Sequence, residues 1–329
     1  MNSIIQYQQK IEQYLDEFSL TGLNSNPKEL YDPIKYILTL GGKRTRPLLV
    51  LLGCELFSDN VDCALPAAAG IELFHNFSLI HDDIMDNAPL RRTQPTVHEK
   101  WNRNIAILSG DAMLVKAYQQ FDKLPNEYVK KCIDVFSATA LKVCEGQQLD
   151  MNYETAHKIS INQYLWMIEH KTAVLLGASL QIGAIVGGAS DEEAQKLYEF
   201  GKYLGVAFQI QDDILDVYGN EQKFGKQKGG DIISNKKTYL LIKAQEISKI
   251  NHYKEEELLM WLQAGEEHAK QKVEAVTAIY DSLEVRKIAE EEMHRQYIKA
   301  ITYMQSLAVE PQKKQTLLKF AEGLMNRDI

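Results

Sequence analysis

The stretch AAAGIELFHNFSLIHDDIMD, Ala67 to Asp86, stays largely apolar as far as Ile80 and then closes on three aspartates. Its apolar residues recur at helical rather than alternating spacing, which predicts a helix buried around most of its circumference. A second stretch, YLGVAFQIQDDILD from Tyr203 to Asp216, repeats the arrangement, so both carry DDI(M/L)D at the C-terminal end of an apolar helical segment. Helical spacing continues along nearly the whole chain and strand alternation hardly occurs, which makes the fold class all-α. Asn26 before Pro27, Ser160 before Ile161 and Ser190 before Asp191 are the expected helix caps, with Pro27 at a first helical position. Breaks are expected near Leu40 to Gly42, Asn87 to Pro89, Pro125 to Asn126, Gly219 to Gly230 and Glu310 to Pro311.

The 329 residues are 45% hydrophobic and no linker-like composition divides them, so one domain spanning 1–329 is expected. A formal net charge of −8 argues against a nucleic-acid binder, which needs a basic face, and requires any phosphate ligand to be met by local cations. Cys54, Cys63, Cys132 and Cys144 form no CxxC pair and no zinc-like spacing with histidine, which fits a reducing, cytoplasmic setting. The polar, acidic N-terminus reads as neither a secretory nor a transit signal. The apolar run Ala173 to Ala189 is short for a membrane span and is interrupted by Ser179, Gln181 and glycines, so it is expected to be a buried core helix.

In a helix, the first and last carboxylates of DDxxD lie one turn apart, while the middle one is displaced around the axis. Acids at a helix C-terminus oppose the macrodipole and repel one another, so two such clusters cost stability unless a cation relieves them. Hard carboxylate oxygens, with water and phosphate completing the shell, are how Mg²⁺ is held at phosphate-transfer sites. The cations for a phosphate are also present. Gly41 and Gly42 precede Lys43, Arg44 and Arg46 just before a helix, which suits an anion held by loop amides and guanidinium forks. Arg91 and Arg92 follow Asp86 by five and six residues, Lys226, Lys228 and Lys236 follow the second cluster, and Lys171 and Thr172 head the Ala173 run.

Taken together and in order, GGKRTRP, HDDIMD, the Arg91–Arg92 pair, Lys171–Thr172, GQQLD at Gly146 to Asp150, QDDILD, and GKQKGGD with NKKT resemble the trans-isoprenyl diphosphate synthase family, the polyprenyl synthetases. The resemblance runs from Gly41 to Thr238. It implies a bundle of long, mostly antiparallel helices around a deep central cavity, the isoprenoid synthase fold, acting as a homodimer. It implies head-to-tail condensation of isopentenyl diphosphate with allylic diphosphates, with release of pyrophosphate. Asp82, Asp83, Asp86, Asp212 and Asp216 match the ligands of three Mg²⁺ ions, for which Mn²⁺ can substitute, and Arg91, Lys171, Lys226 and Lys236 match cations around the allylic diphosphate. Gly42, Lys43, Arg46, His75 and Arg92 match the isopentenyl diphosphate site; Thr172 and Gln209 match polar groups near the developing carbocation; Gln147 and Asp150 match a supporting pair. Thr93 departs from the pattern, since many relatives have glycine after the arginine pair, and the turn rather than the chemistry is expected to feel it.

Product length should follow from the side chains about one helical turn before Asp82, because a turn rises about 5.4 Å, comparable to one five-carbon unit. Those are Phe77 and Ser78. Phe77 argues against long polyprenyl products and the small Ser78 leaves more room than a second aromatic would, which favours geranylgeranyl diphosphate, with farnesyl diphosphate as the alternative. A terpene cyclase would carry NDxxSxxxE, and Asp231 to Ser234 is its nearest approach here, with Thr238 where the glutamate would stand. A non-catalytic subunit of a heteromeric synthase usually lacks one acid cluster, and both are intact. Phe77→Ala is expected to lengthen the products in a chain-length assay; an unaltered product distribution would remove Phe77 from this argument.

Overall fold

The computed structural model describes residues 2–219, 229–250 and 252–326. The chain forms helices α1 (Asn2–Gly22), α2 (Lys28–Thr39), α3 (Thr45–Glu55), α4 (Leu65–Met85), α5 (Val97–Lys100), α6 (Arg103–Phe121), α7 (Asn126–Thr155), α8 (Ile161–Ile168), α9 (Val174–Val186) and α10 (Asp191–Tyr218). It continues through α11 (Gly230–Ile233), α12 (Tyr239–Ser248), α13 (His252–Leu262), α14 (Ala269–Ser282), α15 (Val285–Ser306) and α16 (Pro311–Met325). The all-α expectation holds, and the breaks expected near Leu40 to Gly42, Asn87 to Pro89, Pro125 to Asn126 and Glu310 to Pro311 fall at helix boundaries, while most of the break expected at Gly219 to Gly230 lies outside the described residues. Among the described residues the sole sheet is an antiparallel hairpin, β1 (Leu90–Arg91) with β2 (Gln94–Pro95). Its turn residues Arg92 and Thr93 have φ of 51° and 65°. Such turns normally announce themselves with Asn-Gly, and without that signal the hairpin does not show in the sequence.

Ser160 begins α8 with a full capping box, its hydroxyl accepting from the Gln163 amide and the Gln163 side chain accepting from the Ser160 amide. Such a cap contributes about 1 kcal/mol. Ser190 likewise accepts from the Glu193 amide at 3.2 Å. Asn26 does not cap. Helix α2 starts at Lys28, and Pro27 (ψ 142°) holds the capping position without a side-chain bond. Pro27 is itself extended rather than helical, so the first helical residue is Lys28, one later than expected.

Two compact units assemble from non-contiguous stretches, residues 1–138, 178–198 and 307–317 in the first and 139–177, 199–306 and 318–329 in the second. In the first unit α4 is the central element, with Ala67, Ala68, Ile71, Leu73 and Phe74 nearly inaccessible and α3 and α6 packed along it. Part of α9 crosses α3 so closely that a methyl group on Gly53 would meet the Leu180 carbonyl oxygen at 2.4 Å, and one on Gly183 would meet the Val50 carbonyl oxygen at 2.0 Å. The second unit buries Tyr164, Met167, Val206, Ile210, Ile214, Tyr239, Ile242 and Tyr280 in one core.

The Ala173 run is core, as expected, with Val174, Leu180 and Ile182 buried. One described stretch, Val61–Met85, is long and apolar enough to cross a membrane, and 61% of its most apolar window is buried inside the protein. Gly183→Ala should cost at least about 2 kcal/mol in chemical denaturation, because its methyl meets backbone that cannot step aside cheaply; an unshifted midpoint would show that the crossing has slack.

Candidate active site

Each unit carries one acid patch, and in each the middle aspartate is turned inward. In the first, Asp83 is 1% exposed and accepts three hydrogen bonds from Arg91, from Nε at 2.8 and 3.0 Å and from Nη2 at 2.7 Å. Asp82 and Asp86 lie about 40° apart around the helix axis, whereas Asp83 is displaced by about 100°. Asp86 ends α4, its amide bonded to the Asp82 carbonyl at 2.9 Å. The hairpin explains why the arginines come as a pair, since Arg91 closes on Asp83 while Arg92 turns to the Gly41–Pro47 loop. A methyl on Gly42 would lie 2.8 Å from Arg92 Nη2, and with φ of 141° the position strains any residue that bears a side chain.

Gly42, Lys43, Arg46, His75 and Arg92 line a single open cavity of about 420 Å³, together with Arg44, Thr45 and Glu72. Arg46 Nη1 lies 3.1 Å from His75 Nε2. A guanidinium cannot accept, so Nε2 accepts and the imidazole carries its proton on Nδ1. Burial, then the charges of Arg46, Arg92, Arg91 and Arg44, push the His75 pKa well below its ordinary value, consistent with that neutral ring. Burial also lowers the Arg46 guanidinium to about 10, against the pull of Glu72. Arg46 Nε is buried with no partner, a donor pre-set for an acceptor. Close to the first acid patch, Phe77 packs edge-on against His81 (centroids 4.7 Å apart) and tilted against Phe74 (5.6 Å). Ser78 Oγ donates to the His75 carbonyl at 2.8 Å, which folds the hydroxyl back onto its own helix.

In the second unit, Asp213 is buried and accepts from the Tyr164 hydroxyl at 2.6 Å and from the Tyr239 amide at 2.9 Å. That amide opens α12, whose first amides lack intrahelical partners, so a carboxylate suits the position. Burial, aided by Asp231, nevertheless pushes the Asp213 pKa up to about 7, against Lys236 and the two hydrogen bonds. Asp216 Oδ2 accepts from the Asp231 amide at 3.0 Å. Burial would lower Lys236, but Asp231, Asp213, Asp150 and Asp216 together hold it raised. Gln209 stands about one turn before Asp212 and Asp213 on α10.

Lys171 and Thr172 sit in a π-helical turn, Glu169–Ala173, joining α8 to α9. The turn nests against α7 at Gly146, where a methyl would lie 2.1 Å from the Lys171 amide nitrogen. Lys171 Nζ pairs with Asp150 Oδ2 at 2.5 Å, so GQQLD supplies both the clearance and the counter-ion. Lys226 lies outside the described residues. Sequence reasoning missed Tyr164, which no pattern flags inside an apolar helix. It also missed Glu72, which a lone carboxylate in the Ala67 run does flag, and Lys272, buried and donating to the Ile233 carbonyl at 3.1 Å.

Asp213 generates a pH prediction. The folded protein keeps this proton up to about pH 7, while the unfolded chain releases it near pH 3.8. Its contribution is therefore fully present below about pH 4 and is lost as pH rises through 7, a swing of up to roughly 4 kcal/mol. In urea titrations with chelator, Asp213→Asn should gain stability over wild type at pH 8 and match it at pH 4; a constant offset at both pH values would contradict the assignment.

The chain is similar in sequence and fold to known proteins. A profile of the polyprenyl synthetase family matches residues 27–280. Over 224 residues the chain is 46% identical to a geranylgeranyl diphosphate synthase of Methanosarcina mazei, covering 68% of this chain and 69% of that one. It is 39% identical over 287 residues to a short chain isoprenyl diphosphate synthase of Methanocaldococcus jannaschii, covering 86% of each. A crystal structure of a geranylgeranyl pyrophosphate synthase matches with a TM-score of 0.92 and 40% identity over 100% of both chains. With the family profile covering most of the chain, these relatives agreeing with it and the fold shared end to end, the chain belongs to the polyprenyl synthetase family.

Proposed function

We propose that this protein condenses isopentenyl diphosphate head to tail with an allylic diphosphate, releases pyrophosphate, and makes a short-chain trans-prenyl diphosphate, with geranylgeranyl diphosphate as the product. The observation that carries the reading is the cavity of about 420 Å³ in which Gly42, Lys43, Arg46, His75 and Arg92 collect. Isopentenyl diphosphate binds there through its diphosphate. Lys43 and Arg92 supply charge, Arg46 supplies an unused N–H, and the neutral His75 ring adds polarity without another buried charge.

As the family resemblance implies, Asp82, Asp83, Asp86, Asp212 and Asp216 would hold the allylic diphosphate through three Mg²⁺ ions, for which Mn²⁺ can substitute. Arg91 already takes three of the acceptor positions on Asp83. The donors are hard carboxylate oxygens, with phosphate oxygens to complete the shell. That suits Mg²⁺, which keeps waters and takes phosphate oxygens rather than an all-protein shell. When bound, the ions neutralise the diphosphate and make it a better leaving group. Arg91, Lys171, Lys226 and Lys236 add cationic partners for the charge that builds as the C–O bond breaks.

The electron pair of that bond leaves with pyrophosphate. The double bond of isopentenyl diphosphate then attacks the allylic cation to form the new C–C bond, and proton loss to the released pyrophosphate restores a double bond. Thr172 and Gln209 lie near the cation in this reading, and no side chain serves as nucleophile. Water must be excluded, which accords with acids mounted on apolar helices. Phe77 and Ser78 set the length. The small Ser78 and the names of the relatives support twenty carbons over fifteen, and the assembly implied by the family is a homodimer.

Purified protein given isopentenyl diphosphate with dimethylallyl, geranyl or farnesyl diphosphate should form the twenty-carbon product and should stop when a chelator is added. Asp82→Ala and Asp212→Ala should each lower turnover roughly 10³-fold or more, and near-normal rates in either variant would contradict the reading.

A further inference from the structure

Helix α1 carries no motif, yet it reaches the loop between α2 and α3 at two points. Glu12 accepts from Arg44 Nε at 2.8 Å and from Arg44 Nη2 at 3.3 Å. Gln8, one turn earlier, donates from Nε2 to the Lys43 carbonyl at 3.3 Å. Arg44 is itself buried and continues inward, donating from Nη1 to Glu72 at 2.6 Å and from Nη2 to the Leu38 carbonyl at 2.7 Å. Its backbone is left-handed, with φ of 44°, a conformation that costs a side-chain-bearing residue free energy and persists only where its surroundings over-determine it. The fork of Glu12, Glu72 and the Leu38 carbonyl supplies that constraint.

Lys43 immediately precedes Arg44 and Arg46 follows it by two residues, and both line the anion cavity. Arg44 lines it as well, but its guanidinium is spent on the protein. We infer that Glu12, assisted by Gln8, is a positioning residue for the diphosphate of isopentenyl diphosphate: it clamps Arg44, and so holds Lys43 and Arg46 where they meet the anion. This rests on the cavity binding isopentenyl diphosphate, as proposed above. A purely electrostatic role for Glu12 predicts the opposite sign, because a negative charge beside the cavity repels an anion and its removal should tighten binding. That effect is small, since the Glu12 side chain is 44% exposed and solvent screens it.

Steady-state kinetics on the full chain separates these outcomes. Glu12→Ala should raise KM for isopentenyl diphosphate about tenfold, with kcat and KM for the allylic substrate within about twofold of wild type; Glu12→Gln, which retains an acceptor, should raise it less. An unchanged or lowered KM for isopentenyl diphosphate, or a parallel loss in all three parameters, would overturn the inference. Should Glu12→Ala fail to fold by circular dichroism, Gln8→Ala on the exposed side of α1 takes its place, expected to raise the same KM about twofold to threefold, and no rise sinks the idea. Arg46→Ala is the reference. If it leaves KM for isopentenyl diphosphate untouched, the reading of the cavity fails; if it raises KM and the α1 variants do not, only the role of Glu12 fails.

Discussion

Three hydrogen bonds from Arg91 to one buried carboxylate hold the first acid patch together. An unpaired Asp83 at that depth would cost several kcal/mol, and an unpaired guanidinium beside it would be no better off. Pairing them fixes the hairpin against the end of α4. It also leaves the next residue, Arg92, facing the other way, toward the glycine loop. One charge pair thus decides where two adjacent arginines go.

The second patch reaches the same result by different means. Tyr164 and the first amide of α12 take the place of the arginine, so the middle carboxylate is held by neutral donors and keeps an elevated pKa. In both copies of DDxxD the inner aspartate anchors the helix end, while the pair one turn apart stays on a common face. The two identical motifs are therefore not equivalent in electrostatics: a full charge compensates one buried acid, and a hydroxyl and an amide stabilise the other.

Much of this is legible in the sequence, because helical periodicity and acid or cation spacing are local signals. The α4 and α10 ends and the Ser160 and Ser190 caps belong to that class, whereas the gathering of Gly42, Lys43, Arg46, His75 and Arg92 is what the family resemblance implies. What stays hidden depends on tertiary contact. The hairpin turns on two non-glycine residues in left-handed conformations, and only the surrounding contacts pay for it. Arg44 reads like its neighbours Lys43 and Arg46, but two glutamates distant in the chain draw it inward. Asn26 reads as a cap, but Pro27 takes an extended backbone and holds the capping position instead. Tyr164 is one aromatic among many until Asp213 is placed beside it.

The π turn at Glu169–Ala173 has a consequence for how the chain tolerates change in length. Such a turn accommodates a residue more than regular α-helix would between the same neighbours. Removing a single residue there would leave a helix with good hydrogen bonding and unaltered composition, yet would swing whatever lies on one side of the gap by about 100° relative to the other. Lys171 would then face away from Asp150 and Gly146 would shelter the wrong backbone. The segment's tally of residues is thus as much a part of its chemistry as the identity of the lysine it displays.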